Sequence, residues 1–449
     1  MFTLVYLLPL LCVNVLAGVV LERQDDAEDR PLILTPYIEN EETEKAKELS
    51  AVDPSLFAGV KSHAAYFTVN KTNNWNLFFW YFPAQEAPLE DAPLIVWLQG
   101  GPGGSSMYGL FFEIGPFSTD GNRIEKRPIH WGSDYSLIFI DNPVGTGFSF
   151  SEGGDYATDE DMVGASLLSF MQQFLQVFPE LRTAPLFLTG ESYAGKYIPA
   201  FGHYIHNNQD ESIPINLKGL AIGDGWTDPP TLLHYSEFAF QIGLIDQLQA
   251  DEIHQMEEEA RKNWAEHNIP EYKAIAAQIL PNVLRYANIN EYNYLNDESR
   301  DGPVPTSLNM FLNKPEVQSA LHVKKMEYSA QANDVYNNLS NEIFETVKPW
   351  LEELLEHYGV MCYNGQLDLI VAYALSVNTH KSLNWTGVED YLNAKRVPVY
   401  DSQHTKVTYY VKTSGNFVDA MVRGAGHMVP ADKPEAAKQM IDWFINKYK

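Results

Sequence analysis

Ser192 lies in Gly190-Glu191-Ser192-Tyr193-Ala194-Gly195, directly after the apolar run Pro185-Leu186-Phe187-Leu188 and before the helix-like stretch 197–205. A serine hydroxyl is a weak nucleophile unless a sharp strand-to-helix turn exposes it to a general base, and small residues on either side let that turn close. The position that is usually glycine in such a turn is Ala194, so the hexapeptide alone does not separate a nucleophile from an ordinary loop serine. The chemistry makes further demands. An oxyanion needs two N–H donors, one from the residue after the nucleophile and one from an earlier post-strand loop. Tyr193 supplies the first. Gly101, in the Gly100-Gly101-Pro102-Gly103-Gly104 loop past Leu94-Ile95-Val96-Trp97-Leu98, is the natural second. An acid and a base should follow in chain order. Asp368 comes after the run Val360-Met361-Cys362, and His427, in Gly424-Ala425-Gly426-His427-Met428, after Ala420-Met421-Val422. Twelve histidines occur in the chain, so it is context and order, not residue type, that single out His427.

The elements that must hold these groups are legible as short, continuously apolar runs. Those at 94–98, 137–140, 185–188 and 220–222 each end in a turn rich in Gly, Pro or Asn and are separated by helix-length stretches. Buried parallel strands of an α/β sheet have this pattern. The order Ser192, Asp368, His427, each just past a strand, is that of the α/β-hydrolase fold: a mostly parallel central sheet flanked by helices. Upstream, Tyr66-Phe67-Thr68-Val69 and Leu77-Phe78-Phe79-Trp80-Tyr81 flank a polar turn and predict a hairpin. The stretch 229–345, rich in Glu, Gln, Asn and Tyr with a helical segment at 249–266, predicts a mainly helical cap insertion. A terminal helix is expected from 434, with Ala436, Ala437, Met440, Ile441 and Phe444 on one face and Asp432 as its cap. The expected organisation is a signal peptide at 1–17, an acidic N-terminal or pro-segment at 18–50, and core halves at 51–228 and 346–449 around the 229–345 cap.

Composition sets outer limits. The chain has 449 residues, 45% apolar and 13% aromatic, enough for a large buried core and incompatible with disorder, collagen or coiled coil. With 31 Lys+Arg against 59 Asp+Glu the net charge is −28, which excludes nucleic acid held by the overall field and argues against an anionic membrane as partner. Residues 1–17 carry no charged side chain, are too short to span a bilayer and end in Val15-Leu16-Ala17, as a secretory signal does; a buried N-terminal strand is the alternative. No later segment is apolar enough for a membrane anchor. Cys12 would leave with the signal, so Cys362 is expected to be a buried structural thiol with no disulfide partner. The sequons at Asn70, Asn338 and Asn384 are glycosylation acceptors on the secretory route. No His-x-x-Glu-His or paired-cysteine metal pattern appears, and His203 and His206 read as helix-surface residues. The glycine loop at 100–104 lacks the Gly-Lys-Ser/Thr ending of a phosphate cradle, so neither a metal nor a nucleotide cofactor is expected.

Several motifs in order resemble the serine carboxypeptidase family: Trp97-Leu98-Gln99-Gly100-Gly101-Pro102-Gly103-Gly104-Ser105-Ser106, Asp141-Asn142-Pro143-Val144-Gly145-Thr146-Gly147-Phe148-Ser149, the 190–195 turn, the Asp368 loop and Gly426-His427. The chain is most similar to the vitellogenic-carboxypeptidase-like branch, where Gln99 and Gly104 stand in place of the commoner Asn and Cys. The resemblance implies that Gln99, Glu113 and Glu191 grip the free carboxylate of a peptide or protein C terminus. Two glutamates facing a carboxylate make sense only as proton carriers, which implies a preference for acid. Their structural alternative is a helix cap for Glu191 and a surface position for Glu113. The resemblance also implies Met428 in the pocket for the departing residue, where plain core filling is the alternative. The family's usual cysteines in the glycine loop and cap are missing, so the disulfides that commonly order the cap cannot form.

The expected activity is therefore release of single C-terminal residues through an acyl-enzyme, in a secreted or lysosomal or yolk-type acidic compartment. Acyl transfer to an alcohol and a silent storage protein of the same fold are the alternatives. Oligomeric state, monomer or homodimer, stays open.

Overall fold

Six apolar runs become the parallel centre of one mixed sheet because every residue in most of them is buried on both faces. In the computed structural model, which describes residues 30–297 and 306–449, the parallel strands lie in the order Ser136–Ile140, Leu94–Leu98, Leu186–Glu191, Leu217–Gly223, Gly359–Gly365, Phe417–Val422. The predicted signal segment lies outside the described residues. Antiparallel strands extend both edges. Ser62–Asn70 and Trp75–Phe82 form the expected hairpin and join at Ser136–Ile140, while Val407–Ser414 and Val397–Tyr400 follow Phe417–Val422. The continuous apolar sequence of Leu94–Leu98 thus reads as burial by helices on both sides.

One face is covered by the helices Glu160–Val177 and Ala194–Asn207, which pack Phe170, Phe174, Ile198 and Phe201 against Phe79, Leu98 and Leu188. Asp159 caps the first of these by accepting from Met162 N–H at 2.8 Å. The other face is covered by the terminal helix Pro434–Tyr448, whose Ala437, Met440, Ile441 and Phe444 meet Phe187, Ala221 and Met361. Cys362 is buried in its strand.

The 229–345 stretch packs in two ways. The long helices Gln247–Ala265 and Ile269–Ala287 build their own small core with Leu233, Tyr235 and, from the second half of the hydrolase core, Leu369, Val371 and Leu375. Asp246 and Gln249 close a reciprocal capping box on the first of them. The shorter helices Thr306–Leu312 and Pro315–Ala320 instead join the sheet's own core, with Phe311 against Phe111.

The described part of the acidic segment, residues 30–50, is tied in rather than trailing. Leu34 N–H donates to Tyr66 O at 2.8 Å and Leu32 N–H to His322 O at 3.0 Å, and helix Thr43–Leu49 buries Ala46. The apolar triplet Leu32-Ile33-Leu34 is too short to raise a periodic signal, so its role is invisible in the sequence. Leu34→Ala is expected to cost about 3 kcal/mol, roughly 3 °C in melting temperature for a chain this long. Leu248→Ala, at a side chain 79% exposed, should leave the melting temperature in place. Differential scanning calorimetry of the two variants checks the contrast.

Candidate active site

Strand Leu186–Glu191 stops at Ser192, and helix Ala194–Asn207 starts two residues later. The reversal needs Ser192 at φ 62°, a left-handed conformation that a side-chain-bearing residue adopts only under constraint. Three backbone bonds supply it: Ser192 N–H donates to Gly223 O at 2.9 Å, and Ser192 O accepts from Gly195 N at 2.8 Å and Trp226 N at 2.9 Å. The glycine loop presses on this turn. A Cβ on Gly100 would lie 2.5 Å from Tyr193 N and 2.7 Å from Ser192 Cβ, so only glycine lets the two loops meet. Among the described residues the N–H groups of Gly101 and Tyr193 donate to no protein acceptor, and both residues line a cavity that reaches Ser192.

The residues expected as acid and base stand past the strands Gly359–Gly365 and Phe417–Val422. Asp368 Oδ2 lies 2.8 Å from His427 Nδ1 and also accepts from Val371 N–H at 3.2 Å. That bond puts the imidazole proton on Nδ1 and leaves Nε2 as the free lone pair. Nε2 is buried and bonds nothing in the protein. Ser192 and His427 line one cavity of about 250 Å³, together with Gln99, Gly101, Glu191 and Met428. The base loop is fixed by its backbone: His427 N–H donates to Tyr292 O at 2.7 Å and Gly426 N–H to Asp432 Oδ2 at 2.6 Å. Asp432 is therefore no cap for the terminal helix, which starts at Pro434 behind Lys433 with no side-chain cap. Its carboxylate is spent on the residue before His427.

Gln99, Glu113 and Glu191 meet at one wall of the same site. Trp97 Nε1–H donates to Gln99 Oε1 at 2.9 Å, which turns the amide nitrogen toward Glu191 Oε1 at 2.7 Å and Glu113 Oε1 at 3.2 Å. Glu113 reaches this position from a single π-helical turn, Gly109–Glu113, a widened turn of the kind often found at functional sites. Glu191 is 1% and Glu113 2% exposed, so neither is a surface residue, and the helix after Ser192 has no side-chain cap. Burial raises the Glu113 carboxyl to about 7, offset in part by bonds from Glu191 and Gln99. Burial, then the charge of Glu113, raises Glu191 well above the usual carboxyl range. Their Oε2 atoms are buried without a protein partner.

His203 and His206 bond Glu353 and Tyr358 on a neighbouring helix and loop, apart from this cluster. Four site residues escape the sequence reading: Tyr108 and Tyr336 in the cavity wall, Tyr292 beside the base, and Asp224. Only Asp224 carried a readable sign, an acid just past the strand Leu217–Gly223.

A protein-family model described as serine carboxypeptidase matches residues 54–447. The chain belongs to the serine carboxypeptidase family. It is an enzyme of that hydrolase type with the α/β-hydrolase fold. A probable serine carboxypeptidase, CPVL, of Homo sapiens is 42% identical to it, over 93% of this chain and 90% of that protein. The vitellogenic carboxypeptidase of Aedes aegypti is 38% identical over 95% of this chain and 92% of that protein. Among solved structures, the prohormone-processing carboxypeptidase Kex1(delta)p of Saccharomyces cerevisiae superposes with a TM-score of 0.81 at 28% identity, covering 89% of this chain and 96% of that one.

The raised carboxyls of this carboxypeptidase have a consequence for stability. Glu113 has a higher proton affinity folded than unfolded, so between its ordinary pKa near 4.5 and about 7 the folded state holds more protons. Its contribution therefore weakens as pH rises through that window. Melting temperature followed from pH 4.5 to 7.5 should fall more steeply for wild type than for Glu113→Gln. Parallel curves would show that Glu113 ionises normally.

Proposed function

We propose that the enzyme cuts the last peptide bond of peptides and proteins by acyl transfer to Ser192, in acid. The observation that carries this is the Gln99–Glu113–Glu191 cluster, whose Gln99 and Glu191 line the cavity that Ser192 and His427 share. In acid the glutamate pair holds protons, and the partnerless Oε2 atoms donate O–H to the substrate's terminal carboxylate. The scissile carbonyl is then set over Ser192. Ser192 Oγ attacks it while His427 Nε2 takes the hydroxyl proton, and Asp368 steadies the imidazolium through Nδ1. N–H groups of Gly101 and Tyr193 hold the oxyanion, worth roughly 3 kcal/mol per donor. As the tetrahedral species collapses, the C–N bond breaks, His427 protonates the leaving amine, and a free amino acid departs past Met428. Water gives its proton to His427 and adds to the acyl carbonyl, and Ser192 leaves with that proton.

The second cavity, about 300 Å³, lies on the acyl side of Ser192 and is walled by Tyr235, Leu280, Phe344 and Ile370. It suits an apolar penultimate side chain. Acyl transfer to an alcohol would require neither glutamate, and a storage role would not require the Asp368–His427 bond, so both alternatives leave the cluster unexplained. No described helix is long and apolar enough to cross a membrane. An acidic compartment of the secretory route fits this chemistry, and of its three sequons Asn338 and Asn384 are exposed while Asn70 is half-buried.

Release of the terminal residue from a blocked dipeptide should be fastest in acid, and Ser192→Ala should lose about 10⁶-fold in kcat. KM should rise above pH 7, where Glu113 ionises and repels the substrate anion, with kcat unaffected by that step. The C-terminal amide should be the poorer substrate in acid. A folded wild type that releases nothing between pH 4 and 8 would overturn the reading.

A further inference from the structure

A second pair of buried carboxyls stands behind the base. Asp224 follows the strand Leu217–Gly223 at φ 44°, held by its N–H to Tyr363 O at 2.7 Å and by Gly365 N–H to its Oδ1 at 2.8 Å. One oxygen each of Asp224 and Asp368 and one ring nitrogen of His427 lie within 4.8 Å of one another, with all three residues 2% exposed or less. Asp368 spends Oδ2 on His427 and Val371. What remains is a complementary pair of orphans: Asp224 Oδ2 and Asp368 Oδ1 are both buried with no partner. Two buried carboxylates side by side repel, whereas one proton between them satisfies both oxygens.

We propose that Asp224 is a positioning residue for the base: as a neutral acid it donates Oδ2–H to Asp368 Oδ1. The inference rests on the reading of Ser192, Asp368 and His427 as the acyl-transfer triad. The donated bond fixes the rotation of the Asp368 carboxylate, so that Oδ2 stays on His427 Nδ1. It also draws negative charge away from that oxygen, which weakens the stabilisation of imidazolium. An enzyme working in acid needs this, because a histidine paired with an unmodified carboxylate is already protonated there and cannot take the serine proton. Burial, with the Asp368 charge next, pushes the Asp224 carboxyl well above its ordinary range. The titratable groups facing it are Asp368 and His427, with Glu191 from the neighbouring strand and Tyr363 from the next one.

The test compares Asp224→Ala and Asp224→Asn with wild type on the blocked dipeptide between pH 3.5 and 7. Asp224→Ala removes the donor: kcat should fall about tenfold, KM should change little, and the acid limb of kcat should move up by about one pH unit. Asp224→Asn keeps an N–H donor and should hold the acid limb near its wild-type position, with kcat down by about threefold. Infrared difference spectra at pH 6 should show a protonated carboxyl stretch in wild type that Asp224→Asn lacks. The proposal is overturned if Asp224→Ala leaves the acid limb unmoved, if Asn and Ala move it alike, or if the stretch is absent. Should Asp224→Ala fail to fold, the Asn profile and the infrared band decide. A silent wild type would sink the triad reading instead, and the infrared band would still report the shared proton.

Discussion

The left-handed turn at Ser192 is the constraint on which the site depends. A non-glycine residue at φ 62° stores roughly 1–3 kcal/mol of strain and persists only where its surroundings over-determine it. Here two elements do so: the neighbouring strand Leu217–Gly223, through Gly223 O and, in the loop after it, Trp226 N, and the following helix through Gly195 N. Gly100 closes the turn from a third side. Each of these partners sits at the carboxyl end of a parallel strand or just past it, where open α/β sheets form their ligand crevices. The parallel order of Leu94–Leu98, Leu186–Glu191 and Leu217–Gly223 thus serves the turn, since it brings three strand ends to one point.

A second constraint is electrostatic. The chain carries 28 more negative than positive charges, and its reactive region concentrates acids still further. Glu113 with Glu191 and Asp224 with Asp368 are buried at 2% exposure or less, and both pairs lack a lysine or arginine in hydrogen-bonding contact among the described residues. Arg127 bonds the Phe111 carbonyl and acts on Glu113 only at a distance. Protons therefore stand where cations would in an ordinary buried pair. Burial and like charge act in the same way at both pairs.

How much of this could be read in advance follows from what each residue does with its side chain. Ser192, Asp368 and His427 were legible because each stands past an apolar strand, so that local pattern and chain order agree. Glu113 was legible only through the family resemblance, since the π-helical turn that aims it leaves no mark on the apolar period of Leu110-Phe111-Phe112. Asp432 differs from its expected role because an acid before a helix suggests a cap, while tertiary contact gives it to Gly426. Asp224 has the same post-strand setting as Asp368, and the sequence pattern calls for only one acid there.

The strap 291–294 was illegible for a different reason. It works through its backbone. Tyr292 O takes the N–H of His427 at 2.7 Å, Glu291 O takes those of Leu369 at 3.1 Å and Ile370 at 3.2 Å, and Tyr294 N–H gives to Leu367 O at 3.0 Å. Four bonds thus join one short segment of the insertion to both the acid loop and the base loop. None depends on side-chain identity, so the strap can change sequence while keeping its grip. Yet Tyr292 also lines both cavities beside Ser192. The segment that shapes what enters the site is therefore the same one that holds the base to its acid. A substitution there that alters substrate preference through its side chain need not loosen the base, because the two tasks fall to different atoms of one residue.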